Sequence, residues 1–386
     1  MARGKASADA SELEKLEWPY DWPPPWRSQR LLGHEAAERA LLAAHASGRL
    51  HHAWLLAGPR GIGKATLAFR FARFVLAGGA PSDMFGGPPS SLAIDPASAV
   101  FRRVASGGHA DLLTVERGVV DDRAGRRRGE EGAVKRRAEI VVEDARAIAQ
   151  FLHLTPAEGG WRVVVIDSAD ELNIHAANAI LKILEEPPRR ALILIVSHAP
   201  GRLLPTIRSR CRRLELRPLA ERDIVAILGR QRPDLAPAEA AALARLADGS
   251  AGRALALAEA GGLGLYSEFL RLVADLPRLD IPAVHALGDR LTRPNAEASY
   301  TALTELVAWW LRRLIGIAGG AAAPAAELAP GEAAQLAALA ARHGLDRWLD
   351  LWEKITRLFA RADGNGLDRK QVLIGAFLAL QSAARP

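Results

Sequence analysis

Between about residue 30 and 216, short apolar runs alternate with longer segments whose apolar positions recur at helical spacing. The runs are AWLL (53–56), DLLTV (111–115), RVVVID (162–167), ALILIVS (191–197) and RRLEL (212–216). They are dense in aliphatic and β-branched residues without alternation, which predicts strands buried on both faces of a parallel sheet. Between them, TLAFRFARFVLA, VEDARAIAQFLHL and NIHAANAILKILEE carry helical spacing. The last of these helices has to stop at Pro187-Pro188. This order predicts a doubly wound α/β domain. Residues 78–110 read as loop with one short helix. The charge-dense stretch 117–138 reads as a solvated loop, with a phosphate-contacting arm as the alternative. Beyond Pro218 the strands stop: three short helices follow, then a helical region running from 265 to 386. The expected fold class is α/β plus all-α.

With 386 residues, 49% of them apolar, the chain has room for two or three domains. No run of 18 or more apolar residues occurs, so no membrane span is expected. The opening residues are polar and then rich in Pro and Trp, without the apolar segment of a secretory leader. They read as a tail docked through Trp18, Trp22 and Trp26. The single cysteine, Cys211, excludes an internal disulfide framework and any cysteine-rich zinc site, and a cytoplasmic location is expected. Cys211 itself reads as a small buried apolar residue. A net charge of +7 is compatible with nucleic acid, but arginine-rich composition alone can produce it.

One stretch carries chemistry directly. Gly58-Pro59-Arg60-Gly61-Ile62-Gly63-Lys64 fits G-x-x-x-x-G-K, with a predicted strand before it and a helix after it. Glycines let backbone N–H groups turn inward around phosphate oxygens, and the lysine reaches the β and γ phosphates. The helix N-terminus adds a favourable dipole. The next residue is Ala65, where a Ser or Thr hydroxyl would ligate magnesium. Thr66 lies about 100° further round the helix and does not replace it. The acidic partner is Asp167 at the end of RVVVID. Ser168 follows it, a poor general base where hydrolytic sites often place a glutamate. Asp170 and Glu171 read as acids at the start of a helix. Nucleotide contacts are expected from Gly58, Gly61, Gly63, Lys64, Ala65, Thr66 and Asp167. ATP or ADP binding without efficient turnover is expected, and magnesium is doubtful.

The segments GHEAAERALLAAHASGRLHHAWLLAGPRGIGKATLA, NAILKILEEPP and LLPTIRSRC together resemble the clamp-loader branch of the AAA+ ATPases. The resemblance covers residues 28–260; the helical remainder matches by architecture alone. It implies an N-terminal tail (1–27), an AAA+ P-loop domain (28–216), a small helical lid (217–262) and a C-terminal helical collar (263–386). It also implies a hetero-pentameric ring that opens a sliding clamp and closes it on primer-template DNA. In such rings the tau and gamma motor subunits hydrolyse ATP, beside a delta subunit and a stator subunit whose own site is often degenerate. The two missing hydrolytic groups favour the stator. By the same resemblance, Arg210 of Ser209-Arg210-Cys211 is a finger acting in trans on a neighbour's ATP. Arg253 of GSAGRAL corresponds to a lid residue that approaches the γ-phosphate. Ser197 falls where the first sensor strand ends. The four-cysteine zinc module common in this family is lacking, so no zinc is expected. His51 and His52 read as packing and capping groups, and Trp309-Trp310 as helix packing within the collar. The competing readings are an active tau/gamma-type motor and a homo-ring AAA+ helicase.

Overall fold

The computed structural model describes residues 18, 20–79, 89–121, 134–158, 160–322, 327–365 and 367–385. The chain forms two compact units. The first comprises 1–227 with 249–252, and the second 228–248 with 253–386. The segment expected as the lid therefore divides between them.

The first unit is built on five parallel strands: β1 (Ala53–Ala57), β2 (Leu112–Val115), β5 (Arg162–Ile166), β6 (Ala191–Ser197) and β7 (Arg212–Glu215). Their order is β2-β5-β6-β1-β7, so β1 lies between β6 and β7. The three central strands, β5, β6 and β1, bury both of their faces, which is why their runs do not alternate, whereas the edge strands β2 and β7 are partly exposed. One face, carrying Trp54, Leu56, Val165 and Leu194, packs on helices α1 (Glu35–Ala46), α2 (Lys64–Leu76) and α3 (Ala99–Ala105). The other, carrying Leu55, Val164, Ile193 and Ile195, packs on α4 (Val142–His153) and α5 (Ile174–Glu185). Helix α3 is the short helix expected within 78–110, and Ser98 caps it by accepting from the Phe101 amide at 3.2 Å.

The reading of 117–138 as a solvated loop is corrected at its two ends. Strands β3 (Val119–Asp121) and β4 (Val134–Arg136) pair antiparallel, with Val119 opposite Arg136. Val119, Val120 and Val134 supply strand-forming residues within the charged text. Residues 122–133 lie outside the described residues, as do 1–17 of the tail and 80–88 of the loop-rich segment.

Two arginines in α2 are buried within an otherwise apolar helix. Arg73 donates to the carbonyls of Trp26 (2.7 Å) and Ser28 (2.6 Å), and its guanidinium lies 4.6 Å from the Phe101 ring centre. Arg70 donates to the Gln29 carbonyl at 2.5 Å and to Glu38 at 3.0 Å. Together they strap the segment before α1 onto the domain. Trp26 meets Phe69 edge-on at 6.0 Å, and Trp18 meets Trp22 and Trp26 at 6.2 and 5.9 Å. Of the three expected tryptophans, Trp26 docks on the domain, while Trp18 and Trp22 pack within the tail itself.

The second unit is helical. Its helices are α8 (Pro237–Leu246), α10 (Gly262–Val273), α11 (Ile281–Leu291), α12 (Glu297–Ala318), α13 (Glu332–Ala340), α14 (Leu345–Asn365) and α15 (Arg369–Ala383). Helices α7 (Glu221–Gln231) and α9 (Ala251–Glu259) each have residues in both units. Phe269 anchors the core of the second unit, 5.4 Å from Trp310 and 6.0 Å from Phe377. Trp309 and Trp310 are both buried, as helix packing requires. One polar knot interrupts this core. Glu332 is buried, accepts from the Tyr266 hydroxyl at 2.5 Å and from the Leu328 amide at 3.0 Å, and pairs with Arg313. Burial, reinforced by the Glu332 carboxylate, holds the Tyr266 hydroxyl protonated far above its usual range.

Removing one member of such a knot leaves the other charge buried and unpaired. Glu332→Ala should therefore destabilise the second unit by about 3–5 kcal/mol. Urea unfolding followed by tryptophan fluorescence measures this, and a loss within 1 kcal/mol of zero would show that the pair contributes nothing.

Candidate functional site: a phosphate loop and a distant arginine

The phosphate loop leaves β1 at its C-terminal end and enters α2 directly. Gly58 has φ of 150°, and a side chain there would bring Cβ to 2.4 Å from the Leu216 carbonyl oxygen, so only glycine fits. Gly63, at φ of 105°, is the N-cap of α2. Two contacts brace the turn between them. The His34 ring donates through Nε2 to the Ile62 carbonyl at 2.6 Å, and the Gly252 amide donates to the Gly61 carbonyl at 2.9 Å. Burial lowers the His34 pKa, which favours the neutral ring.

Lys64 is the first residue of α2 and is buried. Its ammonium donates to the Pro59 carbonyl, back within its own loop. Burial pulls its pKa down to about 8, while the carboxylates of Asp167 and Asp170 act in the opposite direction. Asp167 follows β5, and its amide donates to the Val115 carbonyl at 2.9 Å. Burial and then the Glu116 carboxylate raise Asp167 to about 6. The structure thus brings Lys64 and Asp167 into one electrostatic site. Ala65, the second residue of the helix, offers no hydroxyl beside them, and Thr66 is the next residue along.

Ser168 sits in the left-handed region, with φ of 57°, and its hydroxyl meets His198 Nε2 at 3.0 Å. Burial, and then the charge of Lys64, push His198 down to about 4, so its ring is neutral at pH 7. Its Nδ1 is buried without a hydrogen-bond partner. Asp170 and Glu171 do not start an α-helix but lie in a 3-10 turn, Ala169–Glu171. The Asp170 carboxylate instead accepts from the Ser197 hydroxyl (2.7 Å) and from the amides of His198 (2.5 Å) and Ala199 (3.0 Å). Ser197 is therefore tied to Asp170, and the chain after β6 is fixed by that one carboxylate.

Reading by sequence did not single out Glu116 or His198. Each adjoins a position that could have flagged it. Val115 pairs with Ile166, so Glu116 emerges beside Asp167, and His198 directly follows Ser197. Glu116 is held in turn by Arg136 of β4 at 2.9 Å. Among the described residues no group of three or more His, Cys, Asp or Glu could hold a metal ion.

Arg210 lies elsewhere. It follows the short helix α6 (Pro205–Ser209) and precedes the first residue of β7. Strand β7 runs parallel to β1, with Arg212 opposite Trp54 and Glu215 opposite Ala57. Arg210 and the phosphate loop therefore occupy opposite edges of the sheet. At about 3.3 Å per strand residue, roughly 15–20 Å separates them, more than an arginine side chain spans. The guanidinium is partly exposed and pairs with Glu185 at 2.6 Å. Cys211 is partly rather than fully buried, and its burial raises the thiol to about 12. Arg253, in α9, pairs with Glu305 at 3.7 Å and donates to the Glu305 carbonyl at 3.4 Å, all within the second unit. His51 and His52 act as caps: His52 Nε2 donates to the Leu184 carbonyl at 2.9 Å, and His51 Nδ1 lies 2.8 Å from the Ala53 carbonyl.

Residues 33–220 match the family described as DNA polymerase III, delta subunit. The delta-prime subunit of Pseudomonas aeruginosa is 36% identical over 160 residues, 42% of this chain and 41% of that protein. The tau subunit of Escherichia coli is 29% identical over 295 residues, 73% of this chain and 41% of that protein. A solved DNA polymerase III gamma-subunit-related protein of Thermotoga maritima is 17% identical with a TM-score of 0.41, covering 89% of this chain and 99% of that one. The chain spans 41% of the length of these two curated relatives. This chain is thus similar to the delta-prime, tau and gamma subunits of DNA polymerase III, and identities of 29–36% do not separate delta-prime from tau and gamma.

Proposed function

We propose that this chain is the delta-prime type of clamp-loader subunit, a stator that helps load a sliding clamp on primed DNA and lends Arg210 to a neighbouring subunit's ATP. The observation that carries the proposal is the position of Arg210 at the sheet edge opposite its own phosphate loop. An arginine so placed cannot serve its own nucleotide and is free to serve another. Guanidinium stays charged at any physiological pH and forks onto phosphate oxygens, so it can stabilise the charge that develops on a transferring phosphoryl group. The partners would be the tau/gamma motors and the delta subunit, in a cytoplasmic complex that also engages the clamp and DNA.

The chain's own phosphate loop fits a nucleotide's phosphates through Lys64 and the turn from Gly58 to Gly63. Its fit to hydrolysis is poorer. Ala65 offers no metal ligand, and Ser168 engages a neutral histidine and cannot act as a base. Binding without efficient turnover follows. A second reading, the tau/gamma-type motor, draws support from the intact Lys64–Asp167 pair.

Nucleotide titration of the isolated chain tests the cradle. Lys64 is half-deprotonated near pH 8 in the free chain, whereas phosphates favour its charged form. ATP or ADP affinity should therefore be flat between about pH 7 and 8, above the titration of Asp167 and of the terminal phosphate, and fall by up to about tenfold per unit above pH 8. Lys64→Ala should weaken binding and abolish that slope. A pH-independent Kd would place the phosphates away from Lys64. Turnover by the isolated chain at about 1 s⁻¹ or faster, abolished by Lys64→Ala, would favour the motor reading. In a complex reconstituted with the tau/gamma-type and delta subunits, Arg210→Ala should lower ATP hydrolysis at the site it faces by about 10³-fold or more. Unchanged hydrolysis would remove the finger.

A further inference from the structure

We propose that Glu185 is the positioning residue for Arg210, holding its guanidinium ready for a phosphate presented by the neighbouring subunit. This rests on the reading of Arg210 as a finger. Glu185 is the last residue of α5, and its Oε1 accepts from Arg210 Nη2 at 2.6 Å. Arg210 Nη1 donates to the Thr206 carbonyl at 3.0 Å and to the Ser209 hydroxyl at 3.3 Å. Three acceptors from two elements thus engage both terminal nitrogens. Because guanidinium is planar, they set the orientation of the whole group. Its Nε–H makes none of these contacts, and the side chain is 34% exposed, so an incoming anion can reach it.

Local helix energetics do not account for Glu185. A carboxylate in the last turn of a helix faces the negative end of the dipole, and here a second acid, Glu186, follows it. His52 already satisfies the neighbouring Leu184 carbonyl, so the helix end is capped without Glu185. Its contact with Arg210, 25 residues further along the chain, offsets that local cost. An unrestrained arginine has many rotamers to lose when it meets a phosphate, whereas a restrained one loses fewer. The benefit lies in the rate of the chemical step and not in the neighbour's hold on ATP.

The test uses the reconstituted complex, with four chains: wild type, Glu185→Ala, Arg210→Ala and the double variant. Because the pair is half-exposed, Glu185→Ala should lower kcat by about three- to tenfold with KM for ATP unchanged. Glu185→Gln, which keeps an acceptor, should recover part of the loss. The double variant should be no slower than Arg210→Ala, because Glu185 acts only through the arginine. An unchanged or faster Glu185→Ala complex would overturn the proposal, as would a loss that multiplies with that of Arg210→Ala. If Arg210→Ala is itself without effect, the finger reading fails and the positioning role falls with it. If Arg210→Ala is slow while Glu185→Ala is normal, the positioning role alone fails.

Discussion

The parallel register of β1 with β6 and β7 is the constraint on which the rest of the first unit depends. Ala57 lies level with Ser197 on one side and Glu215 on the other. All the strands therefore end at one edge and begin at the other. The ending edge collects the phosphate loop, Asp167, Ser168 and His198. The beginning edge collects Glu185, Arg210 and Arg212. In a parallel sheet every connection must cross back over a face, so chemistry at the two edges is separated by the length of the strands. A single chain can thus hold half of one site at one edge and half of another at the opposite edge. An antiparallel hairpin sheet would have mixed the two.

Buried cations in this unit meet two different fates. The terminal nitrogens of Arg70 and Arg73 are engaged by carbonyls and by Glu38, and they hold the chain before α1 in place. Burying a charge is costly unless its donors are engaged, and here they largely are. Lys64 is equally buried but turns back to one carbonyl of its own loop. Its lowered pKa is the mark of a cation held in a site that lacks a full set of partners. An anion entering the loop would supply them. The same helix therefore carries cations with several partners in its middle and a sparsely partnered one at its start, and their partners distinguish them where residue type does not.

The strands and the motif were legible because their signals are local. All five apolar runs became strands within one residue of the expected ends, and the glycine-rich turn folded as its spacing required. The order β2-β5-β6-β1-β7 was not legible, because nothing in a strand's own residues names its neighbour. Glu116 and His198 were missed for that reason: each matters only through the strand beside it. Glu185, at the end of α5, gains its role only through its contact with Arg210, 25 residues away. The hairpin of β3 and β4 was hidden by the charges around its valines. Asp170 was read as an acid favouring a helix dipole, whereas its partners come from the end of β6, 27 to 29 residues away.

Strand β7 has a further consequence for assembly. It is the last strand of its sheet, and Arg212, Arg213 and Glu215 are exposed along it. An edge strand offers unpaired backbone groups to any other strand that approaches, and charged side chains are a common deterrent to such pairing. The deterrent begins two residues after Arg210, at Arg212. The sheet is thereby kept from continuing into another strand at this edge, so whatever meets it must do so through side chains.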